Sequence, residues 1–161
     1  MAGETIAKLK QSVRDFCNGN EQFDDMAILA LFRTETVNKR IALPIELKSF
    51  DKIKTVAFSA AGDTPEVRRA LLACDEALTN IVEYSGAKNL SFLLEKTGSE
   101  MTVTFTDDGE FFDPTSVQSE EKEFEELSNG GMGINIMRQS SSEMEYRYED
   151  GHNVLTLRFE V

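Results

Sequence analysis

The sequence predicts an α+β domain, a two-layer α/β sandwich with helices covering one face of a mixed sheet. Three observations carry this expectation. Short runs such as "LSFLLEK", "MTVTFTD" and "VLTLRFEV" have strand length and strand alternation, whereas residues 50–61 and 65–84 repeat their apolar side chains at helical spacing. From Ile41 onward these segments run strand, helix, helix, strand, strand, long loop, helix, strand, strand. With 40% hydrophobic residues in 161, the chain has material for one sizeable core.

The elements follow in order. Ile6, Leu9, Val13 and Phe16 recur at helical spacing, so residues 4–17 read as a helix. "NGNEQFDD" breaks it, and "MAILALF" (26–32) is a continuous apolar run, as expected of a strand buried on both faces. Residues 34–40 are polar and aperiodic and read as a linker. This divides the chain into a remnant over 1–33, a linker over 34–40 and a domain over 41–161. In that domain Ile41, Leu43 and Ile45 alternate as a strand, and Ser49 is placed to cap a helix carrying Phe50, Ile53, Val56, Ala57 and Ala60. In "AGDTPEV" Gly62 stops that helix, Thr64 caps the next and Pro65 takes its first position. The second helix runs to Tyr84, roughly 30 Å at 1.5 Å per residue, and Ser85-Gly86 ends it. A hairpin around Gly98 follows, then a long acidic segment over 110–130, a short helix from "GMGINIMRQ" and a closing hairpin across "DGHN".

Charge and cysteine content exclude several function classes. A net charge of −12 argues against nucleic acid and anionic membrane surfaces as partners, since both require basic patches. Cys17 and Cys74 fall within helical patterns and suggest no disulfide framework. No signal peptide opens the sequence, and no apolar run approaches the roughly 18 residues that span a bilayer. The expected location is the cytoplasm.

Three stretches carry candidate chemistry. On a helical wheel of about 100° per residue, Val67, Ala70, Leu71, Cys74, Ala77, Leu78 and Ile81 form one stripe, and Glu76 and Asn80 point nearly opposite it. A solvated face accounts for that placement, yet Asn is a poor helix-interior residue with no cap to make there. In "TFTDDGEFFDP" a strand delivers Asp107 to its end, where it can accept from an amino group such as that of a purine. Gly109 beside it permits close backbone approach, although Asp-Gly is also a common turn signal. In "NGGMGINIM" Gly131 and Gly133 bracket a helix start, where free backbone N–H groups can hold an anion. No Gly-Lys-Ser/Thr follows, so this is not a Walker loop.

Taken together, "DEALTNIVEYSG", "DDGEFFDP" and "GGMGINIM" resemble the ATP-binding domain of the superfamily containing gyrase, Hsp90, histidine kinases and MutL. Within it the resemblance is to the anti-sigma-factor serine kinases, and it covers residues 41–161. The resemblance implies a histidine-kinase-like ATPase fold, ATP and Mg²⁺ as cofactors, Asn80 as the Mg²⁺ ligand and Glu76 as general base. It further implies that Asp107 receives the adenine amino group and that Gly109, Gly131 and Gly133 border the nucleotide. The implied partner is a small antagonist protein or a sigma factor, and a homodimer is compatible with either. Two departures stand out. Tyr84 occupies a position where the family usually has His, and Phe111 takes the place of the second glycine of its first box.

Residues 1–33 have a resemblance of their own. "VRDFCNGNEQFDDMAILALFR" looks like the C-terminal end of the metal-dependent serine phosphatases, which implies Asp24 as a former metal ligand. The other ligands are absent, so the expectation is a remnant of a longer phosphatase–kinase fusion. Two functions therefore compete. One is an ATP-dependent serine/threonine protein kinase acting on an antagonist of an anti-sigma factor. The other is a non-catalytic, nucleotide-dependent module that sequesters a sigma factor or antagonist. A histidine kinase is disfavoured, because the sole histidine, His152, falls in a terminal hairpin.

Overall fold

The structure, a computed structural model, describes residues 2–16, 36–117 and 131–161. The chain divides into two units, Met1–Thr34 and Glu35–Val161. In the first, α1 (Ala2–Phe16) matches the helix expected over 4–17 to within two residues. Cys17, Asp24 and the strand expected at 26–32 lie outside the described residues, as do 118–130 of the long acidic segment.

The second unit runs β1 (Thr36–Leu43), a 3-10 turn (Leu47–Ser49), α2 (Phe50–Ala61), α3 (Pro65–Tyr84), β2 (Leu90–Thr97), β3 (Glu100–Asp107), α4 (Gly131–Ser140), β4 (Glu143–Glu149) and β5 (His152–Glu160). The five strands form one sheet in the order β1-β2-β3-β5-β4. Every neighbouring pair is antiparallel, so the sheet is not the mixed one expected. The reason is topological. A helical crossover seating β4 beside β3 would have made a parallel pair. Instead the hairpin partner β5 takes that place and runs the opposite way, leaving β4 at the edge.

The first strand also starts earlier than expected. Residues 36–40, read as linker, pair with β2 in the register Thr36↔Thr97 to Leu43↔Leu90. Their side chains are mostly exposed on a sheet edge, so no apolar alternation marks them. Backbone hydrogen bonds form the ladder whatever the side-chain polarity. The carboxamide Nδ2 of Asn38 adds a bond to Glu95 Oε1 across the pair at 2.7 Å.

Alternation in the inner strands puts Leu90, Phe92 and Leu94, then Met101, Val103 and Phe105, then Leu155, Leu157 and Phe159 on one buried face. Cross-strand partners Phe92 and Phe105 meet edge to face, with centroids 5.2 Å apart. Against this face lie Ile53 and Ala57 of α2, the Val67–Ile81 stripe of α3, and Ile134 and Met137 of α4, all in one core. Phe92, Leu94, Phe105, Leu78 and Leu157 are fully buried, and each contributes roughly 1.5–3 kcal/mol of transfer free energy.

Local signals fix the element ends. Thr64 Oγ1 accepts from Val67 N–H at 3.2 Å, with Pro65 opening α3. Gly62 ends α2 at φ 80°. Ser49 precedes α2 but caps nothing: its hydroxyl donates to Pro44 O at 2.6 Å. The 3-10 turn runs straight into α2 and holds Ser49 in helical conformation, where its side chain is turned back along the chain. The closing hairpin turns on Asp150 and Gly151, both at positive φ, which suits the twist of its strands. Among the described residues no helix is long and apolar enough to cross a membrane.

Candidate functional site

Asp107 ends the row Met101, Val103, Phe105 that faces the core, so strand register carries a carboxylate into the interior. It is only 4% exposed. Its Oδ1 accepts from Gly109 N–H at 2.9 Å and from Asn153 Nδ2 at 3.1 Å. Among the described residues Oδ2 has no hydrogen bond, and Asp107 lines a cavity of about 620 Å³. That volume falls within the roughly 300–1,000 Å³ range of small-molecule sites. Its walls are largely apolar, with Ile81, Ile134, Met137 and Leu155 among them, and Asn80 opens onto it from α3.

Gly109 is required by space. A Cβ there would lie 2.5 Å from Ser85 O, 2.6 Å from Ser85 Cβ and 2.8 Å from Asp107 Oδ1. The close approach lets Glu110 N–H donate to Ser85 O at 2.8 Å, stitching the end of α3 to the loop after β3. Asp108 reinforces this seam. Its Oδ1 accepts from Lys88 and Asn89 N–H at 2.7 and 2.8 Å, and its Oδ2 from Asn89 Nδ2 at 2.7 Å. Those bonds, the Asn89 backbone bond first, hold its carboxyl down to about 2. The two aspartates divide the work, Asp107 facing the cavity and Asp108 tying the loops.

The wheel reading of α3 needs correction. Glu76 and Asn80 form no solvated face: both are half-buried, Asn80 lines the cavity together with Ala77 and Ile81 of the apolar stripe, and Ala73 on the flank of Glu76 is fully buried. Helix α4 covers that flank. Glycine makes the contact possible, for a Cβ at Gly133 would lie 2.5 Å from Glu76 Oε2. Burial between the helices, with Asp75 adding repulsion, pushes the Glu76 carboxyl above its ordinary value. Arg69 of α3 donates to Gln139 O near the end of α4. Arg138 of α4 donates to the carbonyls of Pro114, Thr115 and Val117, holding that segment at the cavity.

The sequence-predicted residues thus fall into two groups. Asn80 and Asp107 line one cavity, with Gly109 bonded to Asp107. Glu76 and Gly133 meet each other between α3 and α4 and are not among its lining residues, and Gly131 opens α4. Phe111 stands at the rim and packs edge-on against Tyr146 and Tyr148 of β4, with centroids 5.8 and 5.3 Å away. Tyr84 lies at the other margin, largely exposed.

Sequence reasoning missed Asn153 and Tyr146. The register of β5 signals the first. Counting back by twos from Phe159, Leu157 and Leu155 lands on Asn153, a polar residue in a core-facing row. It is 6% exposed and pairs with Asp107 across β3 and β5. Tyr146, on the edge strand, donates to Asn153 Oδ1 at 2.6 Å. Burial is the main influence raising the Tyr146 hydroxyl above its usual value, and Asp113 and Asp107 push the same way.

This donor set suits an adenine nucleotide. Asp107 Oδ2 can accept from an exocyclic amino group, and apolar walls suit a planar base. The Asn80 carboxamide, which has no hydrogen bond among the described residues, offers a hard oxygen to a divalent cation.

The chain resembles known proteins in sequence and in fold. The serine/threonine-protein kinase BtrW of Bordetella bronchiseptica is 32% identical over 92 residues, covering 53% of this chain and 65% of the relative. The chain therefore spans just under two-thirds of that relative's length. A crystal structure of the RsbU and RsbW domains of a Mycobacterium tuberculosis protein superposes with a TM-score of 0.55 at 14% identity. That match covers 77% of this chain and 32% of the other, and shows the shared fold. Residues 49–159 match the model of the histidine kinase-like ATPase domain, and the chain belongs to that family.

Proposed function

We propose that this domain binds ATP with Mg²⁺ and phosphorylates a serine or threonine of a small antagonist protein in sigma-factor regulation. The observation that carries the reading is the carboxylate of Asp107, held through Oδ1 by Gly109 and Asn153 so that its other oxygen is left to an apolar cavity that Asn80 also lines. Membership of the ATPase family and the kinase name of the BtrW relative support it.

Bound ATP and Mg²⁺ supply the transferable phosphoryl group and the neutralisation of its charge. Asn80 would hold the metal through its carboxamide oxygen, with the phosphates providing other ligands. Asp107 would orient the base, and the α4 start around Gly131 and Gly133 would offer N–H groups to phosphate oxygens. Glu76, raised by burial, is the better base for it and would take the proton from the substrate hydroxyl.

One observation favours a second reading, a nucleotide-dependent module that holds its partner without transfer. The Glu76 carboxylate rests against Gly133 and off the cavity lining, so catalysis requires it to turn. The discriminating experiment measures phosphate incorporation into a cognate antagonist by wild type and Glu76→Gln, with ATP affinity in parallel. The kinase reading expects retained ATP binding and a 10²–10⁴-fold loss of transfer. No transfer by wild type would leave the binding module. Asn80→Ala should abolish the Mg²⁺-dependent part of ATP affinity.

A further inference from the structure

Asn153 has the hydrogen-bonding pattern of a side chain that sets the chemistry of its neighbour. Phe112 N–H donates to Asn153 Oδ1 at 3.3 Å, and a backbone N–H can only donate, so the atom it meets is the amide oxygen. On the other side Nδ2 faces three acceptors: Asp107 Oδ1 at 3.1 Å, Glu110 O at 3.0 Å and Gly109 O at 3.4 Å. The orientation of the amide is thereby determined by its surroundings. The Tyr146 hydroxyl, donating to Oδ1 at 2.6 Å, reinforces it from the edge strand.

The consequence falls on Asp107. With Gly109 N–H and Asn153 Nδ2 both on Oδ1, one oxygen of the carboxylate is engaged and the other is left to the cavity as a pure acceptor. An acceptor in that place favours a ligand edge with an N–H donor and opposes one with a carbonyl. The same amide grips the carbonyls of Gly109 and Glu110 and the N–H of Phe112, the backbone that leads from β3 past the cavity.

We propose that Asn153 and Tyr146 are positioning residues for base selection, acting through Asp107 to make the cavity discriminate a 6-amino purine from a 6-oxo purine. This rests on the adenine-nucleotide reading above and extends it to two residues outside the three sequence motifs. Tyr146 acts at one remove, locking the amide that locks the carboxylate.

The test compares three ligands by calorimetry: ATP, GTP and purine riboside triphosphate, which lacks the 6-amino group. Wild type, Asn153→Ala, Tyr146→Phe and Asp107→Asn are measured, with thermal melts of each. Tyr146→Phe keeps the ring against Phe111 and so keeps the fold if Asn153→Ala loses it. The wild type should prefer ATP over both other ligands by tenfold or more. In Tyr146→Phe that preference should shrink several-fold, with affinity for purine riboside triphosphate nearly unchanged, and in folded Asn153→Ala it should shrink further. A merely structural role would weaken all three ligands alike. Preserved ATP preference in both folded variants, or in Tyr146→Phe if it alone folds, would overturn the positioning role while leaving the adenine reading intact. A wild type that binds all three equally, or none, would overturn both.

Discussion

The carboxylate of Glu76 on α3 occupies the space that a side chain on Gly133 of α4 would fill, with Oε2 2.5 Å from the position of a Cβ there. The glycine is thus a fitting piece between two helices. Its contact is the flexible end of a glutamate, which can rotate away. Gly133→Ala is therefore expected to fold, and the change from glycine to alanine inside a helix should add up to about 1 kcal/mol of stability. Under the kinase reading Glu76 must leave Gly133 to act, so phosphoryl transfer should be retained or rise, because the added methyl removes the resting place of the carboxylate. Urea denaturation and phosphate incorporation measure the two effects, and a stability loss above about 2 kcal/mol would show that Glu76 is held rigidly.

Gly109 gives the opposite expectation. A methyl group there meets the backbone oxygen of Ser85, which has no rotamer to escape into. Gly109→Ala should cost about 1–3 kcal/mol, in the range of overpacked interiors, and weaken ATP binding by opening the Glu110–Ser85 seam. A melting temperature equal to wild type would show that the seam is dispensable.

Acid stability should report Asp108. Its carboxyl is held down to about 2 against an ordinary value of 3.8, so the folded state favours the charged form. The stabilisation is present above pH 3.8 and is lost as pH falls from there through about 2. Glu76, shifted upward, has the reverse sign: it favours folding at low pH and loses that contribution as pH rises. In urea midpoints taken from pH 5 to pH 2, Asp108→Ala should lack part of the acid limb seen in wild type. Parallel curves for the two proteins would contradict the assignment.

Arg138 holds the carbonyls of Pro114, Thr115 and Val117 from α4. Arg138→Ala should speed amide hydrogen exchange over residues 113–117 by tenfold or more while leaving β2 and β3 protected, since the core is untouched. Exchange unchanged over 113–117 would mean that other contacts hold the segment.

Much of this protein was legible as one-dimensional pattern. Capping and stop signals at Gly62, Thr64, Pro65 and Ser85 set α3 at Pro65–Tyr84, because those signals act within a few residues of chain. The hairpins at Gly98 and Asp150-Gly151 were legible for the same reason. Alternation placed Asp107 at the end of β3, and the three motifs pointed to the family of nucleotide-binding domains that the comparisons bear out.

Tertiary structure decided the rest. Strand β1 could not be read over 36–40 because an edge strand pairs through backbone groups that are the same for every non-proline residue. The antiparallel sheet depended on which strand of the last hairpin came to lie against β3, a choice made by packing between segments whose paired residues are 46 (Asp107↔Asn153) to 60 (Glu100↔Glu160) positions apart. A wheel shows only a helix's own angles and cannot reveal that α4 covers the flank carrying Glu76, or that Asn80 opens onto a cavity lined by residues of β3 and β5. Asn153 is the clearest case. In sequence it is one polar residue beside a turn. Its bonds to Asp107 and Tyr146 exist only because three strands align there, and only in that alignment is one oxygen of Asp107 left facing the cavity.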